Sequence, residues 1–463
     1  MPVSHLHVIG GAPAVRLLRG GVPWWQPQAR SQPREGTPTR AIATSSADHV
    51  AFVALVCFTL ILLLSPQTWF PALKMVRIAL LTAGVAIAAH VVDRTIRRAG
   101  TARLAPEVAI ALALVSWAVL TVPLSAWPGG SVRVLVDHYL KAIAFFWLIG
   151  ILAVTSARLR VLAWTLVLCS IPLSVTGILN YLSGGQLSTG VRGFTRIEGY
   201  MGGAGLTSNP NDLALMLNLI IPLAGVLVYL TRGVNRAVAA SALLLSAAAV
   251  ILTFSRAGFL TLAASFVMFL AVLLRRQAPG AAIGLLLVAV CVPPLLPDGY
   301  AARLNTITNM SEDRTGSAQG RWKDTLVAAD LVAKSPLIGV GIGQDVLAMN
   351  KERGDTWRQV HNAYLEYGVD LGIPGMLLFI WLHLLCFRTA RRVEAEASRD
   401  PAHRDLALLA AGVQVSLVAF AVAAMFHPIA YQFYFYSIAG LAVGLRHAWQ
   451  AESRMTLLAR SVR

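Results

Sequence analysis

Apolar residues run through this chain in nearly unbroken stretches, separated by short polar clusters. Each stretch spans roughly 17 to 22 positions, enough for a helix to cross a hydrocarbon core of about 30 Å. The stretches fall near residues 48–65, 72–92, 106–124, 139–155, 160–181, 211–230, 236–254, 257–274, 280–297, 373–388, 405–425 and 430–447. The pattern predicts an all-α polytopic membrane protein with about twelve membrane helices. Two polar intervals break the rhythm, residues 183–210 and 298–361. Connections this long are uncommon in compact structures and are usually functional. Trp322–Ala333 has amphipathic spacing, so the second interval is expected to be a partly helical cap before the tenth span.

Composition agrees with this. The chain is 56% hydrophobic and 13% charged, where a soluble domain carries about 25% charged residues. The formal net charge of +17 would suggest nucleic acid in a soluble protein. Here the basic residues collect between spans, at Arg97-Arg98, Arg158 and Arg160, Arg232 and Arg236, Arg275-Arg276, Arg388 and Arg391-Arg392. Such clusters set orientation in a membrane, so no nucleic-acid partner is expected. With the N-terminus inside, the two long intervals lie outside, which in a bacterial inner membrane is the periplasm. Residues 1–46, rich in Pro, Gly, Arg and Ser, read as a disordered cytoplasmic tail rather than a signal peptide. Residues 47–447 form the membrane domain, including a 298–361 periplasmic loop, and 448–463 form a second cytoplasmic tail. Cys57, Cys169, Cys291 and Cys386 lie inside apolar stretches and read as small packing residues.

Chemistry can come only from the polar residues at the outer ends. His361 is foremost. It opens a string with Asn362, Tyr364, Gly368, Gly372, Pro374 and Gly375. Gly368 and Gly372 have the spacing that lets helices approach closely. A neutral imidazole there can accept a proton; the plain alternative is an interfacial histidine bonded to its loop. Arg256, in Thr253-Phe254-Ser255-Arg256-Ala257-Gly258, is an outer arginine against the charge trend. It suits a phosphate or a snorkelling anchor. Arg192 and Arg196 flank Gly193, and Asn209-Pro210-Asn211 follows. The arginines could hold an anion, while the asparagines read as a turn and helix cap. Arg321 stands in the large loop. Gly339, Gly341 and Gly343 downstream lack the context of a dinucleotide fingerprint and read as a tight turn shaping the cap. Asp137-His138 and His427-Pro428 are weaker candidates. Tyr431, Phe433, Tyr434, Phe435 and Tyr436 resemble an interfacial aromatic belt. His90 and His383 read as structural. No compact carboxylate cluster appears, so neither a catalytic metal nor a cofactor is expected.

Together these residues resemble the O-antigen ligase and polymerase superfamily of bacterial surface-polysaccharide enzymes. The resemblance rests on Arg196-Ile197-Glu198-Gly199 with Ser208-Asn209-Pro210-Asn211, on Ser255-Arg256-Ala257-Gly258, on Arg321-Trp322 through Gly343, and on His361-Asn362 with Glu366, Gly368, Gly372 and Gly375. It covers roughly residues 48–447; the N-terminal tail is not part of it. Twelve spans with the large loop before the tenth look most like the ligase. The resemblance implies a metal-independent, inverting glycosyltransferase at the periplasmic face. Its partners would be undecaprenyl-pyrophosphate-linked O-antigen, lipid A–core oligosaccharide and membrane lipids. It further implies His361 as the catalytic base and Arg196, Arg256, Arg192 and Arg321 as pyrophosphate ligands. An O-antigen polymerase or a protein O-oligosaccharyltransferase of the same superfamily would share the donor chemistry. A lipid-linked glycan transporter would instead show charges along a midplane path and broken helices there.

Overall fold

The computed structural model describes residues 46–70, 72–97, 104–184, 196–199, 207, 209–291, 293–313, 316–354 and 357–461. The described residues form helices and turns with no β-strand. In order these are α1 (Ser46–Leu64), α2 (Ala72–Val76), α3 (Ile78–Ile96), α4 (Pro106–Thr121), α5 (Pro128–Val134), α6 (Leu140–Leu152) and α7 (Ser156–Leu182). Then come α8 (Pro210–Leu230), α9 (Gly233–Leu252), α10 (Arg256–Arg275) and α11 (Pro279–Cys291). The cap holds α12 (Tyr300–Thr308), α13 (Ser317–Lys334) and α14 (Asp345–Arg353). The chain closes with α15 (Ala363–Ala397), α16 (Arg404–Ala423) and α17 (Phe433–Ser461). A π-turn, Leu135–Tyr139, joins α5 to α6 as one span.

The protein is an all-α polytopic membrane protein. Ten of its described helices are long and apolar enough to cross a membrane, against the twelve expected. The segment expected at 280–297 yields α11, whose thirteen residues reach only about 20 Å. Pro293 starts a separate short turn beyond it. The segment expected at 430–447 becomes α17, which is long but more polar and runs on to Ser461. It therefore continues through most of the segment 448–463. The expected tail, 1–46, lies outside the described residues except for Ser46.

The helix beginnings at one end carry side-chain caps. Asn209 accepts from the backbone N–H groups of Asn211 and Asp212 at the start of α8. Ser255 Oγ accepts from Gly258 at the start of α10, and Asn362 Oδ1 from Tyr364 and Leu365 at the start of α15. A cap satisfies amide groups that the helix cannot, so each of these residues fixes where its helix begins. α9 and α10 are joined by only three residues. Phe254 makes this reversal possible in the left-handed region, at φ 49°.

α15 is broken in its third turn. Gly372 has φ 70° and ψ −176°, and Pro374 follows it. The break releases carbonyls that need donors, and the glycine run of the cap supplies them. Val340 N–H donates to Val369 O at 2.8 Å and Gly341 N–H to Asp370 O at 2.8 Å. In return, Ile373 N–H donates to Pro336 O at 2.7 Å. Trp117 Nε1 reaches Leu371 O at 2.8 Å from α4. A Cβ at Gly372 would lie 2.4 Å from Leu337 O, and one at Gly339 2.5 Å from Asp370 O. The expected helix-packing role belongs to Gly368, which faces Val332 of α13; Gly372 permits the break itself.

The cap is a folded unit seated on this break. Ala328, Leu331, Met349 and Val360 bury their side chains together with Val369 of α15. The Asp324 carboxylate of α13 pairs with Arg353 of α14. The aromatic residues expected at an interface are instead interior. Tyr434, Phe435 and Tyr436 are all almost fully buried. The Tyr436 hydroxyl finds a partner inside: it lies 2.9 Å from that of Tyr367, which donates to Ala430 O at 2.5 Å. Hydrogen-bonded in this way, tyrosine tolerates the core.

Substituting Gly372→Ala combines a disfavoured φ with a backbone clash. Its thermal midpoint in detergent should fall by several degrees, about 2 kcal/mol or more. Gly280→Ala meets open space and should leave the midpoint unchanged.

Candidate functional site

Two neighbouring cavities open where the capped helix starts meet the cap. The first, of ≈ 130 Å³, is lined by Arg196, Asn211, Arg256, Arg303, Ser317 and Arg321 among others. The second, of ≈ 180 Å³, is lined by Asp212, Arg321, Gln359, His361, His427 and Gln432 among others. Arg321 and Asn211 line both. The N-termini of α8 and α10 add partial positive charge to the first cavity.

The four arginines of the first cavity come from three parts of the fold. Arg196 stands on the 196–199 segment. Its Nε donates to Thr253 O at 2.7 Å and its Nη2 to Asn211 Oδ1 at 3.0 Å. The same Asn211 oxygen accepts from Ser255 Oγ at 2.9 Å. Arg256 begins α10 and reaches into the cap: Nη1 to Thr306 Oγ1 at 2.8 Å, Nη1 to Asp313 Oδ2 at 3.1 Å, and Nη2 to Ser317 Oγ at 2.8 Å. Arg303 of α12 bonds the other Asp313 oxygen at 3.2 Å. Arg321 of α13 makes no hydrogen bond or ion pair from its guanidinium among the described residues, and so has its donors to offer. Among the described residues, four guanidinium groups thus stand beside one bonded carboxylate, that of Asp313, which pairs with Arg256 and Arg303.

That imbalance shows in their proton affinities. Burial, then repulsion from Arg303, Arg321 and Arg256, pushes Arg196 down to about 10. Burial, then Arg256 and Arg303, does the same to Arg321. Arg303 is lowered by burial and by Arg256. Such a cleft favours an anion, which would offset both the repulsion and the lost hydration.

His361 is held from several sides. Val360 N–H donates to Asp345 Oδ2 at 2.9 Å, Ala363 N–H to Ala424 O at 2.7 Å, and Asn362 caps α15. Its Nδ1 lies 2.9 Å from Gln359 O. That carbonyl can only accept, so Nδ1 carries the hydrogen in the neutral ring and Nε2 keeps its lone pair. Burial, then Arg321, pushes the imidazole down to about 4. It is therefore neutral near pH 7.

Of the sequence candidates, the structure brings Arg196, Arg256, Arg321 and His361 together; Arg192 lies outside the described residues. Arg256 lines the cavity but spends its donors on the cap, as a strut between bundle and cap. Asp137 and His138 are exposed and line neither cavity. Sequence reading missed Arg303, whose only signal was being one more outer-loop arginine. It read Asn209-Pro210-Asn211 as turn and cap. Asn209 is that cap, while Asn211 is also the link between the cavities. No group of three or more metal-ligating side chains is placed to hold an ion among the described residues.

The depressed His361 has a sign-definite consequence for stability. Its folded value lies below the unfolded 6.5, so the unfolded chain binds the extra proton between these values. The associated stability is complete above about pH 6.5 and is lost as pH falls toward 4. Denaturation midpoints should therefore fall less steeply between pH 6.5 and 4.5 in His361→Gln than in wild type.

No curated protein matches the chain. Residues 241–380 match the protein-family model described as O-antigen ligase. The matched stretch runs from α9 through the cap into α15 and holds Arg256, Arg303, Arg321 and His361. Over that stretch the chain is similar to the O-antigen ligase family, which supports the O-antigen ligase superfamily.

Proposed function

We propose that this protein transfers O-antigen polysaccharide from undecaprenyl pyrophosphate to a sugar hydroxyl of lipid A–core, at the periplasmic face of the inner membrane. One observation carries the reading: a histidine with a free Nε2 lone pair and an arginine cleft lie in adjoining cavities that share Arg321. The donor diphosphate would occupy the arginine cleft and the reacting sugar the histidine cavity. His361 Nε2 would take the proton of the acceptor hydroxyl. The acceptor oxygen would bond to the anomeric carbon from the face opposite the diphosphate, and the bond between that carbon and the diphosphate oxygen would break with its electron pair on the leaving oxygen. The configuration inverts in this single displacement. Arginines placed before the reaction stabilise that developing charge by several kcal/mol in a poorly hydrated site.

Arg321 is the guanidinium with donors to spare, and Arg303 and Arg196 flank it; Arg192 is a further proposed ligand from the sequence. Arg256 would act chiefly by holding the cap down. The site lies at the membrane end where the prenyl tail can remain in lipid. A transporter would need an open midplane path. At the break in α15 the freed carbonyls are instead taken by amides of the cap, which favours the enzyme.

The test is transfer by the purified full-length protein, with undecaprenyl-pyrophosphate-linked glycan, lipid A–core acceptor and EDTA. Wild type should form the product ladder. His361→Ala should lose about a hundred-fold or more, the usual worth of a general base. Arg321→Ala and Arg303→Ala should raise the donor KM as well as lower kcat. Transfer that survives His361→Ala would remove that residue from the chemistry. Wild-type activity with glycan but not with lipid A–core as acceptor would indicate a polymerase.

A further inference from the structure

His427 lies on the link between α16 and α17 and is 2 % exposed. It lines the second cavity with His361, yet the proposed reaction gives it no task. Its Nδ1 is 2.8 Å from Ala423 O, and its Nε2 is 3.3 Å from Asn211 O. Both partners are backbone carbonyls, which only accept. A neutral imidazole has one N–H and can serve one of them; an imidazolium serves both. The geometry is therefore that of the charged ring.

The surroundings oppose that charge. Burial, and then Arg321 of α13 across the cavity, push His427 down to about 4. His361 shares the cavity as a second imidazole. Asp212 of α8 also lines it, but its carboxylate is engaged by the side-chain amide of Asn209. An anion beside Arg321 would cancel the opposing charge and leave two carbonyls in place to hold a doubly protonated ring.

We propose that His427 is a positioning residue for the donor site that works as the imidazolium, taking one proton from solvent when a diphosphate enters beside Arg321. The new Nε2–H bonds the Asn211 carbonyl. Asn211 also holds Arg196 and Ser255 through its side chain, so the same proton tightens the wall between the two cavities. The proton returns to solvent when the product diphosphate leaves. This inference rests on the diphosphate reading given above and adds a residue and a protonation step to it.

The experiment is ¹⁵N NMR of the full chain with ¹⁵N-labelled histidine imidazoles, in detergent at pH 7.5, titrated with inorganic pyrophosphate. Binding is followed independently by calorimetry. The His427 signals are assigned by their loss in His427→Gln. Without pyrophosphate the two ring nitrogens should be unlike, as in a neutral tautomer. With it they should converge to the imidazolium pattern, while His361 stays neutral. His427→Gln should weaken pyrophosphate binding about ten-fold, as expected for a lost hydrogen bond to a charged group. Pyrophosphate that binds while His427 remains neutral would overturn the inference and leave the diphosphate reading intact, as would undiminished binding by His427→Gln. Failure of pyrophosphate to bind wild type would sink the diphosphate reading itself.

Discussion

The break in α15 at Gly372 is the constraint on which the outer half of this protein depends. A helix interrupted inside an apolar bundle leaves carbonyl groups that water cannot reach, and each costs free energy unless bonded. Here the partners come from the cap's glycine run, through backbone contacts too close for side chains. The cap is thus seated by main chain on main chain, with little freedom to slide. From that seat α12 and α13 lean over the starts of α8 and α10. Arg303 and Arg321 then meet Arg196 and Arg256, and the chain emerging from the cap delivers His361 to the mouth of the same helix.

The two ends of the bundle treat arginine differently. At the end opposite the cavities, Arg158 pairs with Asp48 at 2.5 Å, Arg276 with Glu394 at 3.1 Å, and Arg160 with Asp405. Those charges are matched one to one or nearly so, and their work is orientation and packing. At the cavity end four arginines line one cavity, and among the described residues Asp313 pairs with two of them, Arg256 and Arg303. The formal net charge of the chain is thus a poor guide to where an anion would be drawn. What counts is where acids are missing, and only the folded arrangement shows that.

Much of the architecture could be read from the sequence because membrane spans are written in long apolar runs, and because Asn209, Ser255 and Asn362 mark their helix starts by a local rule. The placing of His361, Arg196, Arg256 and Arg321 at one end followed from topology. What stayed hidden depends on contacts distant in sequence. Arg303 differs from any loop arginine only through Asp313 and its neighbours. The tie of Arg256 to the cap runs through Thr306 and Ser317, 50 and 61 residues away. The tyrosines after His427 have the composition of an interfacial belt. The interior position of Tyr436 is met by hydroxyl pairing with Tyr367 and Tyr139, which no local pattern encodes. The glycine run was legible as a turn, but its seat on α15 was not.

The surplus of guanidinium groups also bears on how the proposed cycle would end. A diphosphate esterified at both ends carries one negative charge fewer than the same diphosphate once its sugar has departed. A cleft fixed in advance with more cations than acids holds the second species harder than the first. On the proposed reading, the feature that would lower the barrier to bond cleavage would also lengthen the residence of the spent lipid carrier. Turnover would then be paced by the carrier's escape into the bilayer rather than by the chemistry of the sugar.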